Sequence, residues 1–246
     1  MSKLRVNKIF TELCKFDTPS ITNVVATYPA HPFCLGLYNP WGENWYTDQT
    51  LHCIYPDLGP RCGYAVTCVF GLPTRGDTRL SFMDVLDALE AAPKPTILVI
   101  QQNFPAEIAG KVGLAGGNMV SAMKSLGCVG LISNGPSRDA DEVRPMRFQY
   151  MLTGITPGHG DMAVHSVNTP VSVCGMDVTP GELIHMDENG ACKFPADKLE
   201  SILDLSVKLR AEENARIGRL QKAGSSAELR TIFGGHSYAT KKKSNF

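Results

Sequence analysis

Between Gly63 and Gly135 two hydrophobic periods alternate, and this rhythm restricts the fold more than any other feature of the chain. "GYAVTCVFG" from Gly63 reads as a strand. "SFMDVLDALEAA" (Ser81 to Ala92) reads as a helix, with Ser81 as its cap and apolar residues at 82, 83, 85, 86 and 89. "TILVIQQN" (Thr96 to Asn103) is a continuous apolar run that turns polar at its end, so a buried strand. "GGNMVSAMKSLG" (Gly116 to Gly127) opens on glycines and stops at Gly127, as a helix does. "VGLISNG" is the next strand. Strand, helix, strand, helix, strand predicts an α/β chain with parallel pairing in its sheet.

The flanks are different. Residues 1 to 28 contain one expected helix, "PSITNVVATY", with Thr18 placed to cap it and Pro19 in its first turn. Residues 29 to 60 are rich in Pro, Trp, Tyr and Gly. They read as a long ordered loop or lid, because the aromatics need something to pack against. After Arg147 the chain becomes β-rich, with Pro180-Gly181 as a turn between two strands. A last helix is expected from about Asp197 to Ala223, striped by Leu199, Ile202, Leu205, Leu209, Ile217 and Leu220. Its length suggests packing on a neighbouring subunit. With no repeat and no low-complexity linker, residues 1 to 246 read as a single domain with a mixed sheet.

Composition narrows the function. Twenty-four basic residues balance twenty-four acidic ones. That argues against nucleic acid as a partner, since its binders carry a basic excess. The run Lys241-Lys242-Lys243 reads as a solvated tail. The N-terminus lacks the pattern of a signal peptide, and no window has 18 uninterrupted apolar residues, so no membrane association is expected. The eight cysteines form no C-x-x-C pair and read as free thiols of a reducing, cytoplasmic protein.

Two loops follow neighbouring strands at their C-terminal ends, where α/β sheets bind ligands. One is "GLAGGNM" (Gly113 to Met119). Its glycines let the backbone approach a ligand, and the unpaired N–H groups of the following helix favour a carboxylate or phosphate. The other is "NGPSRD" (Asn134 to Asp139). An arginine fork matches a carboxylate, and an aspartate beside it suits a hard divalent cation whose other positions are water. On residues alone this turn also fits an ordinary salt-bridged cap.

The run "GGNMVSAMKSLGCVGLISNGPSRDADEV" resembles the signature of the RraA-like family: a Gly-rich loop, a helix, a strand, then G-x-x-R-D. "TPSITNVV" and "TPVSVCGMDVTPGELIHMDENGACKFP" resemble the family's opening helix and closing segment. The likeness covers residues 17 to 223, with 29 to 60 as an insertion. The family includes class II 4-hydroxy-4-methyl-2-oxoglutarate aldolases and the regulator of ribonuclease activity A. The resemblance implies a layered β/β/α, swivelling-type fold and a metal-dependent lyase. Asp139 would be the ligand to Mg²⁺ or Mn²⁺. Arg138 would hold the carboxylate and ketone oxygen of a small 2-oxo acid and assist proton transfer. The N–H groups of Gly116, Gly117, Asn118 and Met119 would bind the same end of the substrate. It also implies a homotrimer or homohexamer with sites at subunit interfaces. No Schiff-base lysine is required; Lys111 and Lys124 read as surface residues.

There are departures. Relatives often carry an acid near the start of the motif helix, where this chain reads Gly116-Gly117-Asn118. The strand that often ends in V-D ends here in Gln101-Gln102, and Asn134 stands where Asp is frequent. A carboxylate from a neighbour's last helix would be Glu212 or Glu213, residues that otherwise read as a solvated face. His159 near Asp161, followed by His165, reads as a loop residue more readily than a ligand. His31 and His52 lie in the insertion, with no spacing that assigns them a role. The leading expectation is an aldolase for 4-hydroxy-2-oxo acids or an oxaloacetate decarboxylase. The alternatives are a non-catalytic protein-binding regulator and a lyase or dehydratase acting on sugar acids; retention of Asp139 favours the enzyme.

Overall fold

The computed structural model describes residues 3–28, 32–73 and 80–234. His31 and the Lys241-Lys242-Lys243 run lie outside them. Two helices come first, α1 (Lys3–Leu13) and α2 (Thr18–Val25). Asp17, not Thr18, caps α2: its side chain accepts the Ser20 N–H at 3.0 Å. Thr18 is instead the first helical residue, and its hydroxyl is 2.9 Å from Nδ1 of buried His185. A short strand, β1 (His52–Cys53), precedes the long β2 (Arg61–Gly71). Then come α3 (Phe82–Ala91), β3 (Thr96–Asn103), the single turn α4 (Ala106–Ala109), α5 (Gly117–Ser125) and β4 (Cys128–Ser133). Ser81 caps α3 in a capping box with Asp84.

The rest of the chain is α6 (Ala140–Val143), β5 (Gln149–Leu152), β6 (Ala163–Val167), β7 (Val171–Val173), β8 (Met176–Val178), β9 (Leu183–Asp187) and β10 (Gly190–Phe194), closed by α7 (Leu199–Leu220) and α8 (Ser226–Phe233). The main sheet runs β1-β5-β4-β3-β2-β9-β10, with β6 also on β2. β2, β3, β4 and β5 are mutually parallel; the outer pairings are antiparallel. Pro180 and Gly181 do turn the chain between β8 and β9, but β8 pairs with β7 in a separate two-stranded sheet.

The pleat of β3 explains the layering. Leu98 and Ile100 face the helices, packing with Val85 and Leu89 of α3 and Val120 and Met123 of α5. Ile97 and Val99 face the other way, onto Val171, Val173, Met176 and Val178 of the β7–β8 hairpin. A sheet covered on both faces requires the uninterrupted apolar run that "TILVI" supplies. The result is the layered β/β/α arrangement with a mixed sheet and a long C-terminal helix. A third cluster joins α1, α2 and the first half of α7 to β9 and β10 through Leu13, Ile21, Val24, Phe194, Ile202 and Leu209. The first part of α7 is therefore buried within its own chain, whereas Val207 and Ile217 are exposed.

The described part of the 29–60 segment is an ordered wrap. Trp45 is 1% exposed, stacks on Tyr38 at 5.7 Å and donates its indole N–H to the Asn39 carbonyl. Leu35 and Leu37 N–H groups bond to Val24 and Val25 carbonyls, and Thr47 N–H to Ala191 O. His52 is exposed on β1. Among the described residues no helix is long and apolar enough to cross a membrane. All eight cysteines are free thiols; Cys62, Cys68, Cys128 and Cys192 are buried and the other four half-buried.

Candidate active site

The two loops singled out by sequence meet at the C-terminal ends of β3 and β4. The strand ends are tied by amides. Gln102 N–H donates to Asn134 Oδ1 at 2.7 Å, and Gln102 Nε2 to the Asn134 carbonyl at 3.1 Å. Gln101 Oε1 accepts the Ser172 N–H at 2.8 Å, tying in the hairpin. The polar residues that depart from the family pattern are thus structural fasteners here. Beyond them the loops zip together: Leu114 N–H bonds to Pro136 O and Arg138 N–H to Ala115 O, both at 3.0 Å.

This pairing sets Arg138 and Asp139 on the floor of a cleft of about 400 Å³, shared with Asn118, Met119, Glu142 and His159. Asp139 adopts φ 58, ψ 42, the left-handed region that Asp tolerates better than most residues. Its backbone then starts α6, with its carbonyl accepting the Glu142 and Val143 N–H groups. Its carboxylate turns back: Oδ2 accepts the Gly117 N–H at 2.9 Å, and Oδ1 lies 3.1 Å from Arg138 Nε. Both side chains are partly exposed, 34% for Arg138 and 24% for Asp139, so a ligand can reach them. A second cleft of about 390 Å³, on the side of Ile155, Thr156 and Pro157, shares Arg138, Asp139 and Glu142.

The glycines are needed for close approach. A Cβ on Gly116 would land on Asp139 Oδ2, and one on Gly117 would land on Glu142 Oε2. The opening of α5 is therefore a cradle into which two carboxylates fit. The N–H groups of Asn118 and Met119 lie in the first turn of α5, where a helix has no internal partners for them. Asn118 is exposed and Met119 half-buried at the rim.

Two tyrosines hold the loops from the core side. Tyr55 Oη donates to Ala140 O at 2.6 Å, and Tyr150 Oη to Ala115 O at 3.3 Å, with the rings stacked 5.8 Å apart. Burial pushes the Tyr55 phenol up to about 12, against a smaller opposing pull from Arg144. Burial also raises the Tyr150 phenol, helped by Tyr55 and Asp139. Both stay protonated donors. Tyr55 is the contribution of the 29–60 segment: it supports the site from beneath, and no described residue of that segment lines the cleft.

Other candidates fall elsewhere. Glu212 pairs with Arg216 at 3.0 Å on α7, and neither it nor Glu213 lines this chain's cleft. Burial raises the Glu213 carboxyl, with Arg216 opposing. Asp161 and His165 are not in the lining, and His165 Nε2 sits 3.0 Å from Leu72 O. Lys111 and Lys124 are exposed. Among the described residues no group of three or more His, Cys, Asp or Glu side chains converges as a metal cage. The donor set nevertheless fits a hard divalent cation that keeps most of its water and takes one or two carboxylates. Glu142, Tyr55 and Tyr150 escaped sequence reasoning. The only signal for Glu142 was its place three residues after Asp139, on the same side of a helical turn.

Comparison with known proteins agrees with this architecture. Protein DlpA of Legionella pneumophila is 25% identical over 150 residues, covering 60% of this chain and 24% of that one. A Burkholderia multivorans protein provisionally named 4-hydroxy-4-methyl-2-oxoglutarate aldolase is 30% identical over 145 residues, covering 57% of this chain and 83% of that one. The chain spans less than two thirds of the length of several other curated relatives. The crystal structure of Streptomyces coelicolor RraAS2, described as an unusual member of the RNase ES inhibitor RraA family, superposes with a TM-score of 0.62 at 23% identity. It covers 85% of this chain and 96% of that one. The family profile described as RraA-like, Aldolase/RraA, matches residues 38–192, which include both site loops. The chain belongs to the RraA-like family.

Proposed function

We propose that the chain is a divalent-metal-dependent carbon–carbon lyase acting on a small 2-oxo acid, as an aldolase for 4-hydroxy-2-oxo acids, an oxaloacetate decarboxylase, or both. One observation carries the reading: the Arg138 guanidinium and Asp139 carboxylate lie side by side, 3.1 Å apart, on a cleft floor facing the start of α5. The cleft lining holds one arginine against two carboxylates, Asp139 and Glu142. An anionic oxo acid would be repelled by that balance. A divalent cation reverses it, and Mg²⁺ or Mn²⁺ suits all-oxygen donors. When bound, the ion would supply a Lewis acid at the ketone oxygen.

The chain's own groups do the rest. Asp139 would hold the ion, and its bonds to Gly117 N–H and Arg138 fix its orientation. Arg138 would grip the substrate carboxylate and lie next to the ketone oxygen. When the C3–C4 bond breaks, its electron pair moves toward that oxygen, and a fixed positive charge there lowers the barrier. The N–H groups of Asn118 and Met119 favour the same end of the substrate through the helix dipole. From a 4-hydroxy-2-oxo acid the 4-hydroxyl proton would pass to water held by Arg138 and C4 would leave as a carbonyl compound; from oxaloacetate C4 would leave as CO2. In both cases protonation of C3 would then give pyruvate. No lysine is used.

The test is release of pyruvate from oxaloacetate and from a 4-carboxy-4-hydroxy-2-oxo acid, with and without EDTA. Activity restored by Mg²⁺ or Mn²⁺ and lost in Asp139→Ala supports the reading. If wild type and Asp139→Ala are equally inert on both, the lyase assignment fails and a protein-binding role gains ground.

A further inference from the structure

Gly117 stands between two carboxylates. Its N–H is taken by Asp139 Oδ2 at 2.9 Å, and the space its own side chain would fill is taken by the Glu142 carboxylate. Glu142 lies one helical turn after Asp139 and lines both clefts that Asp139 lines. Its backbone N–H bonds to the Asp139 carbonyl at 3.1 Å, so the left-handed turn at Asp139 sets the direction of both side chains. An ordinary helix-capping role for Glu142 would not require a glycine at 117. Leaving that position bare is what lets a second negative charge reach the cleft beside the first.

We propose that Glu142 is the second carboxylate of the cation site, placed where a side chain at position 117 would otherwise sit and where it would hold a water of the bound ion. This rests on the lyase reading and adds to it a residue and a reason for Gly117. The physical role is charge. Two carboxylates bind a divalent cation more tightly than one, and an oxygen donor that orders the ion's water typically changes affinity by about 10–100-fold. Position matters as well as charge. An aspartate at 117 would put a carboxylate in the same pocket of space, but only if Glu142 gave up its own.

Four proteins decide it: wild type, Glu142→Gln, Gly117→Asp, and the double variant Gly117→Asp/Glu142→Gln. Mn²⁺ alone is titrated into each, followed by calorimetry or by loss of the free Mn²⁺ spin signal, and thermal melts confirm folding. Glu142→Gln, which keeps an acceptor oxygen but no charge, should bind Mn²⁺ about 10-fold or more weakly. The double variant should recover to within about 3-fold of wild type. Gly117→Asp alone should melt lower, because two carboxylates are forced into one space. If Glu142→Gln binds Mn²⁺ as wild type does while Asp139→Ala does not, the assignment of Glu142 is wrong and the lyase reading survives. If Glu142→Gln is weak and the double variant stays equally weak, Glu142 acts through structure and the proposal also falls. If wild type takes up no Mn²⁺, both readings fall together.

Discussion

The Tyr55 hydroxyl donates to the Ala140 carbonyl at 2.6 Å, so a residue from the aromatic N-terminal wrap is bonded to the residue that follows Asp139. The stacked Tyr150 makes the matching bond to Ala115, just before Gly116. Each loop of the site is therefore anchored by a phenol rising from the core.

Tyr55→Phe keeps the ring and removes that bond. Stability should fall by about 1 kcal/mol, read from urea unfolding. The rate of pyruvate release should fall more than the affinity for oxo acid, because the lost contact adjusts Asp139 and does not touch the substrate. A change in KM alone would contradict the positioning role.

Arg138→Ala should lower kcat/KM for lyase activity by about 100- to 1000-fold, the scale expected for removing a donor from a developing oxyanion. Arg138→Lys should recover little of it, since an ammonium lacks the fork that can hold a carboxylate and face Asp139 together. Near-wild-type activity in Arg138→Lys would reduce the role of Arg138 to a point charge.

Gly116→Ala introduces a methyl group where Asp139 Oδ2 lies. The Asp139 side chain must move, and if Asp139 holds the ion as proposed, a misplacement of about 1 Å costs on the order of 100-fold in rate. Fold stability should change little, as Gly116 is half-buried at a loop-to-helix junction. Steady-state kinetics beside a thermal melt separates the two effects.

Trp45→Ala tests the wrap. Trp45 is fully buried among Tyr38, Tyr46 and the β9–β10 cluster. Its truncation should cost about 3–5 kcal/mol of stability. The activity of the protein that remains folded should hardly change, because no described residue of the segment lines the cleft. A selective loss of kcat without destabilisation would revive the idea of a lid.

His185 predicts a pH dependence of stability. It is fully buried, bonded to Thr18 and to Leu13 O, and burial lowers its pKa, with Leu13, Asp187 and Asp17 opposing. The folded state thus resists a proton that the unfolded chain accepts below about 6.5. The neutral ring's contribution is complete above that pH and is lost as pH falls below it, by up to about 1.4 kcal/mol per unit. Urea midpoints of wild type and His185→Gln between pH 5 and 7.5 check this: the mutant curve should be flatter there.

The parts of the fold that were legible in sequence are those where a local pattern and a tertiary need coincide. "TILVIQQN" gave β3 at its observed ends because a strand buried on both faces must be continuously apolar. Ser81 announced α3 because capping is local chemistry. The Arg138–Asp139 turn stood out by residue type and by following a strand. Asp17 and Thr18 are both good caps by residue type, and only the tertiary bonds of Thr18 to His185 and Asp187 separate them. α1 and α8 have weak local signals and were not anticipated. The left-handed turn at Asp139, and with it the direction of Glu142, depends on contacts between loops about twenty residues apart, which no local window contains.

The amide pairing of Gln102 with Asn134 has a consequence for how such a site could change. The two strand ends are laced together before the loops begin, and the glycine cradle and the Arg-Asp turn are bonded to each other beyond them. Met119, His159 and Ile155 line the outer parts of the two clefts, so substitutions there can reshape the clefts while leaving the Gln102–Asn134 pairing intact. On the lyase reading, a chain built this way could exchange the far end of its ligand by surface drift alone, with the reacting end under unchanged restraint.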